Sequence, residues 1–197
     1  MMIEDDRHYE RERFASVSEA GRVFSHVSCS DCSFTRCAFL ESSFRKCSFI
    51  NCTFRGCDLS VVKVPNTSFV NCRFVDSKAI GIDWTKAGGL QSKLELSLEF
   101  EGCNVSYSNF FGLSLARMAL KDCIASEVEF GEADLSEGVF TGTDFQGAVF
   151  LHTNLTRSDF SGARNYAIDP TANTIKGAVF TLPEAVSLLR GFDVVVR

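Results

Sequence analysis

Apolar residues recur along this chain at every fifth position. From Cys32 the sequence reads CSFTR CAFLE SSFRK CSFIN CTFRG CDLSV: in each unit a small residue, a variable one, Phe or Leu, then two mostly polar residues. With the Phe/Leu position taken as the centre, centres fall at every fifth residue from Phe24 to Trp84. After a shift of one they resume at every fifth residue from Phe100 to Phe160. All 26 centres are apolar, where a 45% hydrophobic composition would give about 12. Self-similarity of this kind marks a repeat architecture, in which each unit buries its apolar face only against its neighbours.

A period of five fits neither a helix, at 3.6, nor a flat strand, at 2. It fits a coil with four sides, one pentapeptide per side. The centre and the residue two before it then point inward, and the other three face solvent. Residues 20 apart stack at roughly the 4.8 Å spacing of neighbouring strands. The predicted fold is therefore all-β, a quadrilateral parallel β-helix. Two inner ladders are visible as cysteines, Cys32–Cys52–Cys72 and Cys103–Cys123. Eight of the nine cysteines stand two before a centre, and only Cys29 is a centre itself. Elsewhere that inner slot holds Ser42, Thr67, Ala133 and Gly138. The slot admits small side chains, and Cys reads there as a small hydrophobe. Disulfides between stacked ladder cysteines are the alternative.

The pattern divides the chain into an N-terminal arm, 1–13, and a single repeat domain, 14–197. The domain comprises first coils at 14–84, a phase-breaking loop at 85–99, second coils at 100–165 and a cap at 166–197. Gly88-Gly89 permits a turn, so the loop is expected to project, carrying Lys86 and Lys93. Thr181-Leu-Pro-Glu184 reads as a capping box with Pro in the first turn of a short helix. Leu182, Ala185, Val186, Leu188 and Leu189 give that helix an apolar side, Gly191 ends it, and Phe192–Val196 reads as an extended apolar tail. This is more apolar surface than one cap needs. A homodimer joined through Leu182, Val186, Leu188, Leu189, Phe192 and Val194 is expected, with an oversized monomeric cap as the alternative.

Charge and composition narrow the function. The net charge is −5, which argues against direct nucleic-acid binding. Residues 1–97 sum to +1 and residues 98–197 to −6. The first 13 residues are charged throughout with no apolar core segment, and no apolar run approaches a membrane span of ~18 residues. A cytoplasmic protein with reduced thiols and no membrane contact is expected. His8, His26 and His152 stand in unrelated contexts, and Cys29-x-x-Cys32 has no second ligand pair. No nucleotide-binding, hydrolase or metalloprotease motif occurs. The sequence therefore predicts no catalytic residue, no metal, no cofactor and no enzymatic activity.

What remains is a surface pattern. Between Asp122 and His152 there is no Lys or Arg, yet Glu127, Glu129, Glu132, Asp134, Glu137 and Asp144 all lie there. By register all six point outward, and the first four surround one corner of one coil. A solvated, solubilising face is the plain reading. The sharper one is a rigid rod offering a basic groove closely spaced negative charge, as DNA does.

The repeats, the phrase Ala79-Ile-Gly-Ile-Asp-Trp84 before the break, and the ending Asn165-Tyr-Ala-Ile-Asp-Pro170 with Phe180-Thr-Leu-Pro-Glu-Ala-Val-Ser-Leu-Leu-Arg190 resemble the topoisomerase-protecting pentapeptide-repeat proteins. The albicidin-resistance members are nearest; the quinolone-resistance and microcin-immunity members are more distant. The resemblance covers residues from about 14 to 197. It implies a right-handed β-helix dimerising through its C-terminal helix and mimicking B-DNA in size and charge. It implies binding to DNA gyrase, with topoisomerase IV as a second target, and rescue of the enzyme from a poison such as albicidin or a quinolone. It also implies a functional role for the loop: Lys86, Gly88, Gly89 and Lys93. The first coils are near neutral, with Arg36, Arg45, Lys46, Arg55 and Arg73 outside, which places any mimicry in the middle of the dimer. A non-enzymatic scaffold for a different protein partner is the alternative function.

Overall fold

The structure, a computed structural model, describes residues 3–88, 96–192 and 194. It is a parallel β-solenoid of about eight turns with one short helix near the C-terminus. Among the described residues the strands are two to four residues long, and every named pair is parallel. The register is the 20-residue step that the repeat dictates: Phe14 pairs with Phe34, Phe34 with Phe54 and Phe54 with Phe74. All 26 centres are buried, none more than 5% exposed.

The rings form continuous stacks. On one side Phe14, Phe34, Phe54, Phe74 and Phe100 follow one another with centroids 4.6–4.9 Å apart. Each such pair adds roughly 0.5–1.5 kcal/mol beyond the area it buries. An aromatic without a polar handle suits this place, because a buried hydroxyl or indole N–H needs a partner. Trp84 shows the cost, since its Nε1 is buried and has none.

The inner slot is selected for more than size. Thr67 Oγ1 donates to Phe44 O at 2.8 Å, Thr143 Oγ1 to Leu120 O at 2.8 Å, and Cys52 Sγ to Cys29 O at 3.4 Å. A small donor here reaches the carbonyl of a centre in the preceding coil, 23 residues back. All nine cysteines are free and buried. Burial raises the thiol pKa values of Cys29, Cys47, Cys52, Cys72, Cys103 and Cys123, to about 12 for Cys52 and Cys123, whereas the hydrogen bond with Cys57 lowers Cys37 to about 6.

From Phe24 to Phe160 every centre but Trp84 is followed, two residues on, by a residue in the left-handed region that turns the corner. Glycine takes it at Gly56 and Gly142, but charged residues such as Glu127, Glu132, Glu137 and Arg157 also adopt φ of +55° to +59°. This conformation is uncommon for non-glycine residues, and the stacked coil on either side imposes it.

Three expectations change. Residues 3–13 are not a free arm. Strand His8–Glu10 pairs with Ser28–Ser30, and Ile3 and Tyr9 are buried. The five-residue pattern does reach back through Phe14 to Tyr9, but Glu19 occupies the centre between Phe14 and Phe24 and hides it. Glu19 is held by Arg22 at 3.0 Å. The phase break is also shorter than 85–99. Trp84–Lys86 form a 3-10 turn capped by Asp83, and the strand resumes at Leu98, which is buried. Across the break Phe74 pairs with Phe100, and Arg73 reaches Glu99 at 3.8 Å and Glu101.

The C-terminal helix is 3-10, Glu184–Phe192, and Gly191 lies inside it. The Thr181 side chain does not cap it; its hydroxyl accepts from Gly162 N at 2.9 Å, tying the segment to the coil beneath. Tyr166, Ile168, Phe180 and Leu188 close the apolar cross-section, with Phe160 and Phe180 stacked at 5.2 Å. Leu188 is partly buried and packs against the core.

Candidate partner-binding surface

The six acidic residues come from two positions of the repeat. Glu127, Glu132 and Glu137 are corner residues, and Glu129, Asp134 and Asp144 immediately precede centres. The second position faces outward, but its carboxylate folds back onto the corner. Glu129 Oε1 accepts from Gly131 N at 2.7 Å, and Asp134 Oδ1 from Ser136 N at 3.0 Å. Asp144 Oδ1 accepts from Gln146 N at 3.2 Å. These bonds fix each carboxylate at a defined place on the rod while leaving its charge.

Neighbouring coils neutralise two of the six. Arg117 and Arg157 stand one coil to either side of Glu137, with Arg117 Nε 3.0 Å from Glu137 Oε2 and Arg157 bonded to Oε1. Hydrogen bonds from Arg117 and Arg157 hold the Glu137 carboxyl below the usual carboxylate range. Asp144 accepts from Arg164 Nε at 3.1 Å and from Asn165 Nδ2 at 2.8 Å. Burial opposes its ionisation, but the Asn165 amide, the Gln146 N–H and Arg164 together keep it below the ordinary value.

Among the described residues, no cation pairs with Glu127, Glu129, Glu132 or Asp134. They run over two successive corners, turned by the exposed Glu127 and Glu132, and onto the side after each, which carries Glu129 and Asp134. The patch also carries apolar residues that the sequence reading passed over. Phe111 and Leu151 are 47% and 50% exposed, one coil before and after Gly131. A Cβ at Gly131 would stand 3.2 Å from the Phe111 ring, so that ring lies across the glycine. Both residues follow a centre, where polar residues are the rule, and that is the signal by which they were legible. The three arginines were legible too, by counting 20 rather than scanning along the chain.

The loop positions are only partly described. Lys86 Nζ lies 3.7 Å from Asp83 Oδ2, and Gly88, at φ +89°, donates to Thr67 O at 2.8 Å. Gly89 and Lys93 lie outside the described residues. At the C-terminal end Leu182, Val186, Leu189, Phe192 and Val194 are exposed, Leu182 at 79%.

Comparison with known families fits this geometry. Residues 27–110 match the pentapeptide repeat region family, and residues 123–162 match the pentapeptide repeats, eight copies. The chain is a pentapeptide-repeat protein. No curated protein matches it. Among solved structures, this pentapeptide-repeat protein is similar to full-length QnrB1, a plasmid-mediated fluoroquinolone resistance protein. The TM-score is 0.64 at 18% identity, over 92% of this chain and 100% of that one. A trypsin-treated QnrB1 variant gives 0.64 at 19%, over 98% and 92%. HetL, involved in heterocyst differentiation regulation in the cyanobacterium Nostoc sp. strain PCC 7120, gives 0.43 at 12%, over 86% and 87%. The likeness to QnrB1 at these identities is one of fold. No helix among the described residues is long and apolar enough to cross a membrane.

Proposed function

We propose that this pentapeptide-repeat protein is a non-enzymatic, cytoplasmic binding protein that engages DNA gyrase, with topoisomerase IV as a second target. In this reading it protects the enzyme from a poison such as albicidin or a quinolone. The observation that carries the reading is the group Glu127, Glu129, Glu132 and Asp134, fixed on a rigid rod without cation partners. Such a surface presents a basic DNA-binding groove with closely spaced negative charge. The fold shared with a fluoroquinolone resistance protein over nearly the whole chain supports it. Exposed Leu182, Val186, Leu189, Phe192 and Val194 would join two copies, bringing two acidic patches onto one longer rod. Lys86 and Gly88 mark the base of the loop that, with Gly89 and Lys93, would make a further contact.

Phe111 and Leu151 favour a second reading, because a DNA duplex carries no exposed apolar side chains of this kind. They suit a scaffold with a different protein partner. A supercoiling assay with purified gyrase decides between the two. The first reading expects inhibition without drug, or relief of albicidin or fluoroquinolone poisoning, at micromolar protein. It also expects loss of both on joint reversal of Glu127, Glu129 and Glu132 to Lys, with the circular dichroism spectrum unchanged. No effect of the native protein on gyrase would leave the scaffold reading standing.

A further inference from the structure

The rod carries a second surface of opposite sign, in its first half. A groove of about 640 Å³ runs across three successive coils and is lined by Arg45, Lys46, Lys63 and Lys86. The exposed apolar surface of its floor comes from Val61, 48% exposed, and Pro65, over the core residues Val62 and Val64 beneath. Asp83 is the one carboxylate in the lining, against four cations, which leaves a charge of +3. Asp83 is also occupied: its Oδ1 accepts from Thr85 Oγ1 at 2.6 Å and its Oδ2 lies 3.7 Å from Lys86 Nζ. Among the described residues Arg45, Lys46 and Lys63 have no acidic partner within salt-bridge distance.

A second observation points to a ligand. Ser43, which also lines the groove, is only 6% exposed, and its hydroxyl has no hydrogen-bond partner. In the solenoid interior hydroxyls in the small slot find a carbonyl; this one, on the outward face beside Lys63, does not. A buried hydroxyl left unpaired costs about 1–3 kcal/mol, and a bound acceptor removes that cost. Cations held around an apolar floor select a molecule with an apolar body and one anionic end. Inorganic anions would gain nothing from Val61 and Pro65, and neutral apolar molecules nothing from the cations.

We propose that this groove binds a small amphipathic organic anion, an apolar body carrying a carboxylate, sulfonate or phosphate. The site is independent of the acidic patch, which lies in the second half of the rod.

The test titrates 8-anilinonaphthalene-1-sulfonate into the full-length protein, following dye fluorescence and stoichiometry. Saturable binding of one dye per chain is expected, with a Kd below about 100 µM. The double variant Lys63→Gln, Lys86→Gln should weaken it at least ~10-fold, since two of the attractive charges are gone. Lys121→Gln, which removes a cation already paired with Glu99, should leave it unchanged. All three lysines lie at the surface, so circular dichroism and Tm should be native in each variant. Retention of full affinity in the double variant would place the dye elsewhere, on the exposed C-terminal helix, and overturn the proposal. Absence of saturable binding would do the same. Inorganic phosphate should not displace the dye at equal concentration; if it does, the apolar floor plays no part and the amphipathic ligand class is wrong.

Discussion

Phe74 and Phe100 stack with centroids 4.7 Å apart and planes 14° from parallel, although 26 residues separate them instead of 20. Phe54 and Phe74, one full coil apart, stack at 4.9 Å. The break in phase therefore leaves no break in the core. Phe100→Ala should cost ~3–5 kcal/mol, as a buried Phe does in an uninterrupted core, and as much as Phe54→Ala. Guanidinium unfolding of the two variants side by side checks this. A cost under ~1 kcal/mol for Phe100→Ala alone would show the seam to be loose.

Gly138 occupies a slot that elsewhere holds Cys, Ser, Thr or Ala. A Cβ there would lie 2.6 Å from the Phe140 ring, which has moved into the vacated space. The same ring is tilted 38° to Phe160, away from the near-parallel stacks of the first coils. Gly138→Ala should therefore destabilise by ~1–3 kcal/mol through overpacking, against the trend of the repeat. Thermal melts of Gly138→Ala and of Ala133→Gly would both show loss of stability, for opposite reasons.

How much of this was legible follows from where the physics lies. The core was written in the five-residue period, because an inward position tolerates only apolar or small side chains, and every centre from Phe24 to Phe160 obeys. The ends were not. Glu19 at an inward position interrupted the count and turned Tyr9 and the first coil into an apparent arm. Thr181 and Glu184 matched a capping pattern, but the Thr181 hydroxyl serves Gly162 in the coil below, a contact no local window contains. The acidic surface was half legible. Its charges were plain along the chain, while the arginines that offset Glu137 and Asp144 sit 20 residues away, adjacent only once the coil closes.

Glu137 predicts a pH response. Hydrogen bonds from Arg117 and Arg157 lower its pKa below the ordinary 4.5. The ionised form then favours the folded state above the unfolded value, and that contribution disappears as pH falls through the folded value. Tm measured from pH 6 down to about 3 should fall more steeply in the native protein than in Glu137→Gln. Parallel acid limbs would show that the two arginines contribute nothing there, as fully exposed ion pairs often do.

The thiols supply a probe of opening. Burial holds Cys52 and Cys123 at about 12 and pushes Cys72 higher still, so these three carry almost no thiolate at pH 8, and Cys37, lowered to about 6 by its hydrogen bond with Cys57, is shielded by burial instead. A disulfide reagent such as Ellman's should label none of the nine cysteines in the folded protein within minutes, and all nine in guanidinium. Because the cysteines span residues 29–123, the order of slow labelling should report which coils open first.

The regular register has a geometric consequence. Each coil repeats the one before by a translation of roughly 4.8 Å with little rotation, so the molecule is a screw whose thread closes every 20 residues. Removing one whole thread between the two surfaces, such as residues 103–122, would slide the second half of the rod toward the first by one step and leave each side chain on its own side. Removing five would turn everything downstream by a quarter. Distance along the axis and direction around it can thus be altered separately, which makes the spacing between the basic groove and the acidic patch an adjustable length.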